Sequence, residues 1–182
     1  MRKYSWMIMC VATYILSACA GSQKEREASR EAFMQDSIRR TEPQRMQVSE
    51  TTAEVTFRGK KYESVVVRRP DDSLPPVTNS QGERFVDNRI TLTLTHKGKT
   101  ILHRVFTKES FATLVDAKFM KYAILEGVVL DEPSDQGVVY AASVGYPQSD
   151  LYVPLRITVS ADGKVSMDKE ELMEDWHEPG KP

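Results

Sequence analysis

The sequence predicts a mainly β fold, with an α+β arrangement as the alternative. The expected architecture is an antiparallel sheet, sandwich or barrel-like, of about seven or eight strands with one internal helix. From about residue 51 onward, apolar and polar residues alternate with a period of two, the pattern of strands with one buried face. These short runs follow one another closely and do not alternate with long helices, which favours antiparallel pairing. The roughly 125 residues of 51–176 suffice for a single globular domain with one core.

Eight segments carry the alternation, and turn residues separate most of them. The predicted strands are residues 51–57, 62–68, 89–95, 100–106, 122–130, 138–146, 151–160 and 164–168. Hairpin turns are expected at 58–61, 96–99 and 162–163, where a glycine permits a tight reversal of the chain. The proline-rich segment 69–82 is predicted to be a loop.

The internal helix is predicted between residues 107 and 119. Thr107 is a candidate N-cap, and Phe106 and Phe111 are spaced as a hydrophobic staple. Leu114 and Phe119 continue an apolar stripe at helical spacing. We therefore expect one helix to pack this stripe against the sheet.

The last predicted strands have the clearest pattern in the chain. Every second residue of 151–160 is apolar, but Pro154 cannot donate a ladder hydrogen bond. This strand is therefore expected at the edge of a sheet or at a bulge. Beyond it, Leu172 and Trp176 are predicted to dock a short terminal helix, and residues 177–182 form a tail.

The N-terminus is typical of an exported protein. Arg2 and Lys3 precede a mostly apolar, uncharged run over residues 4–16, which is shorter than the roughly 20 residues that span a bilayer. The run closes on Leu-Ser-Ala-Cys at 16–19, which resembles the lipobox of bacterial lipoproteins. In that family the signal is cut before the cysteine, which then carries acyl chains such as palmitate. The resemblance implies a signal peptide at 1–18 and lipidation of Cys19. The alternatives are an ordinary cleaved signal and a chance cysteine in a signal anchor.

The same resemblance implies a membrane as partner. A single acyl chain holds weakly, at about 0.8 kcal/mol per buried methylene, and the family carries two or three chains. Ala20 stands where enteric lipoproteins retained in the inner membrane carry aspartate, so the expected location is the cell envelope, at the outer membrane. Cys19 and the rest of 19–50 would form the anchor and a flexible or helical tether. The tether interleaves six basic with six acidic residues and has few large apolar side chains.

Composition excludes several classes of function. The chain has 25 basic and 26 acidic residues, and this near balance argues against a nucleic-acid partner. Its two cysteines, Cys10 and Cys19, fall in the signal and at the anchor, which excludes thiolate metal sites and cysteine-protease chemistry. No phosphate-binding, dinucleotide-binding, HExxH or GxSxG motif is present in the sequence, so no cofactor, metal site or catalytic set is predicted.

One histidine and one loop remain as candidates for a site. His103 shares a strand face with Ile101 and Val105 and is expected to be a buried, hydrogen-bonded core residue. The alternative is an envelope hydrolase in which His103 works with a loop carboxylate such as Asp131 or Asp150.

The loop is Tyr-Pro-Gln-Ser-Asp at 146–150, followed by an aromatic residue on the next strand. Tyr146, Tyr152 and Asp150 are the predicted binding residues, for a glycan, a peptide or an envelope protein. A rigid turn with a partly buried Tyr146 is the structural alternative. The functional hypothesis is a noncatalytic, membrane-anchored binding module.

Several stretches resemble a known family when they are taken in order. The stretches are DNRITLTL, FTKESF, ILEGVVLDEP and SVGYPQSDLYVPLRITVSADG. They resemble a family of lipoproteins from gut anaerobes that is known only as a domain of unknown function. The resemblance covers roughly residues 50–170 and implies the domain limits and the anchor, but no activity.

Overall fold

The structure, a computed structural model, describes residues 26–31 and 42–170. Residues 26–31 are helical and exposed, and they belong to a unit that ends at Glu42. A second unit, which holds the β structure, begins at Pro43. The predicted signal peptide, Cys19, the terminal helix and the tail lie outside the described residues.

The predicted mainly β fold is confirmed. The strands are β1 (Ser49–Phe57), β2 (Lys60–Pro70), β3 (Val77–Thr78), β4 (Arg84–Phe85), β5 (Asn88–His96), β6 (Lys99–Phe106), β7 (Ile124–Leu130), β8 (Val138–Gly145), β9 (Tyr152–Val159) and β10 (Val165–Lys169). A 3₁₀ turn (Lys108–Phe111) and a short α-helix (Ala117–Met120) connect β6 to β7.

The strands form two antiparallel sheets of four strands each. The first sheet has the order β1-β2-β5-β6, and the second has the order β10-β9-β8-β7. β3 and β4 belong to neither of these sheets and pair with each other, as a small hairpin inserted in the chain between β2 and β5. Of the two architectures left open by the sequence, two sheets with free edges correspond to the sandwich, and neither sheet closes into a barrel.

Both sheets contribute to one hydrophobic core. β5 supplies Ile90, Leu92 and Leu94, and β9 supplies Leu155, Ile157 and Val159, all fully buried. A polar contact also joins the sheets, because the hydroxyl of Tyr140 on β8 donates to Ser64 Oγ on β2 at 2.9 Å. Burial raises the pKa of Tyr140, while its bond to Ser64 opposes the shift. The sandwich is therefore held by alternate apolar residues and by one buried hydroxyl pair.

The predicted hairpin turns are confirmed at both reversals of the first sheet. Arg58 and Gly59 join β1 to β2 with φ angles of 48° and 71°, and Lys97 and Gly98 join β5 to β6 with φ angles of 50° and 75°. Two successive left-handed residues are the conformation that matches the twist of two-residue hairpins. Glycine at the second position adopts it without a steric penalty.

The single helix predicted over 107–119 is wrong in its length. The 3₁₀ turn ends at Phe111, and the α-helix starts only at Ala117. Asp116 separates the two, since its Oδ1 accepts from the backbone N–H of Lys118 at 2.8 Å and of Phe119 at 3.3 Å. An aspartate that caps a helix in this way starts a new one and interrupts the preceding stripe.

The predicted edge position of the strand at 151–160 is also wrong. β9 lies between β8 and β10, and neither of its ladders shifts register. Pro154 is tolerated because the ladder with β10 ends at Leu155, opposite Lys169. The carbonyl of Pro154 still accepts from Glu170 N at 3.1 Å, just past the end of β10. The N–H that proline lacks would therefore lie opposite the end of β10, where the ladder is already finished.

The predicted loop 69–82 contains the last residues of β2 and all of β3. Gln44, which the sequence assigns to the tether, bridges to the same hairpin: its N–H donates to Arg84 O at 2.7 Å, and its carbonyl accepts from Val86 N at 2.9 Å. Val77, Phe85 and Ile124 form a second, smaller buried cluster beneath the hairpin. This cluster fixes the hairpin to the start of β7.

Candidate functional site

A cleft opens where three connecting segments meet. The segments are the β3–β4 turn, the residues after the short α-helix, and the β8–β9 loop. The cleft has a volume of about 410 Å³, within the roughly 300–1,000 Å³ of small-molecule sites. Its lining, which we call the tyrosine cleft, consists of Asn79, Ser80, Gln81, Glu83, Tyr122, Tyr146, Pro147, Gln148 and Ser149.

Aromatic rings form one wall of the tyrosine cleft. The ring of Tyr146 stacks on Phe119 of the short helix, with centroids 4.4 Å apart and planes tilted by 18°. Tyr122 meets Tyr146 edge to face at 6.3 Å and 78°, and Lys121 Nζ lies 5.3 Å from the centre of the Tyr122 ring. Offset stacks and edge-to-face pairs are the favourable geometries of aromatic rings, so both tyrosines are held in place.

The β3–β4 turn forms the opposite wall and is fixed by Asn79. Its Oδ1 accepts from the backbone N–H of Gln81 at 3.0 Å and of Glu83 at 2.9 Å, and its Nδ2 donates to the Glu83 carboxylate at 2.8 Å. Ser80 and Gln81 are exposed, and their side chains have no hydrogen bond within the described part of the chain. The turn therefore presents a free hydroxyl and a free amide from a rigid backbone.

The β8–β9 loop is closed by its own hydrogen bonds. Tyr146 N donates to Leu151 O at 2.9 Å, and Ser149 N donates to Tyr146 O at 3.2 Å. Gln148 has a φ of 59°, in the left-handed region, and its Nε2 donates to Gln44 Oε1 at 2.5 Å. A residue other than glycine in this region is uncommon, and Gln148, like Arg58 and Lys97, adopts it in a connection between two antiparallel strands.

A half-buried carboxylate lies behind this loop. Glu126 lines a smaller pocket of about 250 Å³ that also touches Pro147 and Gln148. Burial raises the pKa of Glu126, although Ser143 and Arg68 act in the opposite direction. Sequence reasoning missed Glu126, whose only signal is an acidic residue in the middle of the apolar run ILEGVVL.

A buried ion pair anchors the same end of the domain. Asp87 is 1% exposed, and its Oδ1 accepts from the N–H groups of Asn88 at 2.8 Å and Leu125 at 2.9 Å. Its Oδ2 lies 3.4 Å from Lys108 Nζ, which donates to Ala123 O at 2.9 Å. The pair ties β5, the 3₁₀ turn and β7 together. The sequence analysis also missed this ion pair, although the polar residues Asp87 and Asn88 stand out between Val86 and Ile90.

The structure places His103 on the exposed face of β6, so its predicted burial is wrong. Its Nδ1 lies 3.0 Å from Thr93 Oγ1 on β5. Among the described residues, no carboxylate is within hydrogen-bond reach of this histidine. Asp131 and Asp150 both lie in exposed loops, and Asp131 Oδ1 accepts instead from Glu132 N at 2.8 Å.

The three predicted binding residues are not brought together. Tyr146 lines the tyrosine cleft, whereas Tyr152 is 50% exposed on β9, opposite Gly145, and does not line it. Asp150 is exposed at the end of the loop and does not line it either. The structure instead joins Tyr146 to Tyr122 and Gln81, which the sequence analysis did not single out. Tyr122 carries a weak signal as an aromatic residue just ahead of a strand.

Two kinds of feature are not found among the described residues: a metal site and a membrane-spanning helix. Over 26–31 and 42–170, no group of three or more His, Cys, Asp or Glu side chains is arranged to hold a metal ion. Over the same ranges, no helix has both the length and the apolar character needed to cross a membrane.

Comparison with known proteins identifies the family. A search of the curated proteins finds no match. A family model described as a domain of unknown function, DUF4738, matches residues 28–167, which include every strand from β1 to β9 and all of the tyrosine cleft. Because the match extends over most of the sequence, this chain belongs to the DUF4738 family.

Proposed function

We propose that this protein is a lipid-anchored binding module of the cell envelope that holds its ligand in the tyrosine cleft and does no chemistry on it. The observation that carries the proposal is the cleft itself: two fixed tyrosines face a rigid turn that presents unbonded polar groups. The anchor is inferred from the sequence at Cys19, which resembles a lipobox cysteine. The outer membrane is the proposed location.

The composition of the cleft favours binding over hydrolysis. Glu83 is the one carboxylate in the lining that the structure describes, and it is already bonded to Asn79. Glycoside hydrolysis uses two carboxyl groups about 5 to 9 Å apart on either side of the scissile bond. Nucleophiles are commonly activated by an adjacent base, and no histidine is among the described residues that line the cleft. A ligand in the cleft is therefore contacted by groups that hold it and not by a catalytic pair.

The anchor is tested by metabolic labelling with a clickable fatty acid. We expect the wild-type protein to be labelled and processed, and Cys19→Ala to be unlabelled and to accumulate as precursor. Cys10→Ala is the matched control, because Cys10 lies inside the predicted signal and should leave labelling intact. Equal labelling of Cys19→Ala would remove the anchor from the proposal.

The binding function is tested by capture from native envelope. Tagged full-length protein is purified in detergent, and retained material is identified by mass spectrometry of peptides and of released glycans. Tyr122→Ala and Gln81→Ala are expected to lose the retained material, since both side chains line the cleft. Tyr152→Ala is the control, an exposed tyrosine outside the cleft. Identical recovery by all four proteins would refute a binding role for the cleft.

A further inference from the structure

We propose that the ligand of the tyrosine cleft is a neutral carbohydrate, an inference that rests on the binding function proposed above. The cleft offers a set of uncharged hydrogen-bonding groups around fixed aromatic rings. Three properties of its described residues lead to this ligand class: the state of the polar groups, the charge of the lining, and the backbone beneath it.

The first property is an excess of unbonded polar groups of both kinds. The hydroxyls of Tyr122 and Tyr146 and the side chains of Ser80 and Gln81 make no hydrogen bond within the described part of the chain. Hydroxyls donate and accept, and a glutamine amide does each with a different atom. A sugar ring presents hydroxyl groups that also do both, so it offers partners to donors and to acceptors alike. An apolar ligand would leave them all desolvated and unpaired.

The second property is the lack of a positively charged side chain in the described lining. Glu83 is the only ionisable acid or base there apart from the tyrosines, and its carboxylate accepts from Asn79. Lys121 does not line the cleft; its ammonium lies over the ring of Tyr122. A phosphate, sulfate or uronate in the cleft would face the Glu83 carboxylate, and the described lining holds no cation to offset the repulsion. The lining therefore disfavours an anionic ligand.

The third property concerns the backbone. Extended peptides commonly bind by adding a strand to a free sheet edge. β8 and β9, whose loop forms one wall, each have a neighbour on both sides. β3 and β4, whose turn forms the opposite wall, have two residues each and are too short to pair with an extended peptide. Recognition in the cleft therefore depends on side chains and aromatic faces. Apolar ring area with a few fixed polar groups is the general composition of a small-ligand site.

The inference is tested with full-length lipidated protein in a zwitterionic detergent that carries no sugar headgroup. Binding is measured first on a glycan array with neutral, uronate-containing and sulfated oligosaccharides, and then by calorimetry with the best neutral ligand. We expect neutral glycans to bind and acidic ones not to bind. Tyr122→Ala and Gln81→Ala should each weaken the affinity about tenfold, as expected for the loss of about 1.4 kcal/mol of contact.

Two further variants separate binding from folding. Tyr146→Phe keeps the ring on Phe119 and removes only the hydroxyl, so we expect an intact fold and a weaker affinity. Tyr152→Ala should bind as the wild type does. If no neutral glycan binds while capture from envelope still depends on Tyr122, the carbohydrate assignment is overturned and the binding function stands. Preferential binding of acidic glycans, or neutral binding that no cleft variant changes, also overturns the assignment. Loss of both array binding and cleft-dependent capture refutes both proposals.

Discussion

The β8–β9 loop and strand β6 each contain a residue that the sequence marks as a candidate, and the two surroundings differ sharply. Tyr146 lies in a cleft between segments that are distant in the chain, with Phe119 on one face and Tyr122 at its edge. His103 lies on the outer face of a sheet, with Thr93 of the adjacent strand as its partner. A residue in a strand acquires neighbours from its own ladder, whereas a residue in a loop acquires neighbours from every segment that ends at the same place.

The two regions also differ in how they are held. Behind the cleft lie the buried Asp87–Lys108 pair and the half-buried Glu126. The side chain of His103 is held by one exposed hydrogen bond. Buried polar groups fix a local structure at the cost of desolvation, and exposed ones contribute little. The comparison can therefore be tested by substitutions of buried and of exposed polar residues.

The largest expected effect is at Asp87. Asp87→Ala removes the partner of Lys108 Nζ and of two backbone N–H groups, which leaves a buried ammonium uncompensated. We expect the free energy of unfolding to fall by about 3–5 kcal/mol in denaturant titration. Arg156→Gln, which breaks the exposed pair with Glu170, is the control and should cost about 0–1 kcal/mol. Equal losses would mean that burial of the pair contributes nothing.

An intermediate effect is expected at Tyr146. Tyr146→Ala removes a half-buried ring from its stack on Phe119, and we expect a loss of about 2 kcal/mol of stability, less than the roughly 3–5 kcal/mol of a fully buried aromatic ring. His103→Ala should change the free energy of unfolding by less than about 0.5 kcal/mol, because His103 is exposed, and should leave envelope capture unchanged. If the wild type has a hydrolytic activity that His103→Ala loses, strand β6 and not the β8–β9 loop carries the function, and the hydrolase alternative is favoured.

The smallest expected effect is a pH dependence at Glu126. Burial raises the pKa of its carboxyl above the usual 4.5, so the folded state favours the neutral form more than the unfolded state does. That contribution is complete below pH 4.5 and is lost as the pH rises through the folded-state pKa. Glu126→Gln should therefore be more stable than the wild type at pH 7, and the difference should vanish below pH 4.5 in thermal unfolding. A less stable variant at pH 7 would show that the attraction between Arg68 and the charged Glu126 carboxylate outweighs the cost of burying that charge.

Local patterns predicted the strands and the tight hairpin turns of the fold well. The turns at Gly59 and Gly98 and the alternation of β5 depend on neighbouring residues, and the sequence contains all of that information. Pro154 misled the prediction because its missing donor matters only in relation to where β10 ends. The two-residue strands β3 and β4 are too short for any periodicity, and their pairing with each other and with Gln44 is tertiary.

The candidate site was only partly predictable for the same reason. Tyr146 was selected as an aromatic residue in a loop, suited to contact with a ligand, but nothing in the neighbouring sequence indicates Tyr122 or Gln81 as its partners. Those residues meet because the second core cluster places the hairpin against the start of β7. A cleft between distant segments is a property of the packed sheets and cannot be derived from one strand at a time.

The order of the strands has a consequence for synthesis of the chain. Each sheet is built from one continuous half of the sequence, the first from residues 49–106 and the second from residues 124–169. A ribosome that synthesises this protein from its N-terminus thus releases a complete first sheet before any strand of the second exists. Such an arrangement keeps contact order low for a sandwich and favours rapid folding. Until β7 to β10 emerge, the inward face of β5 is an apolar surface with no partner sheet to cover it.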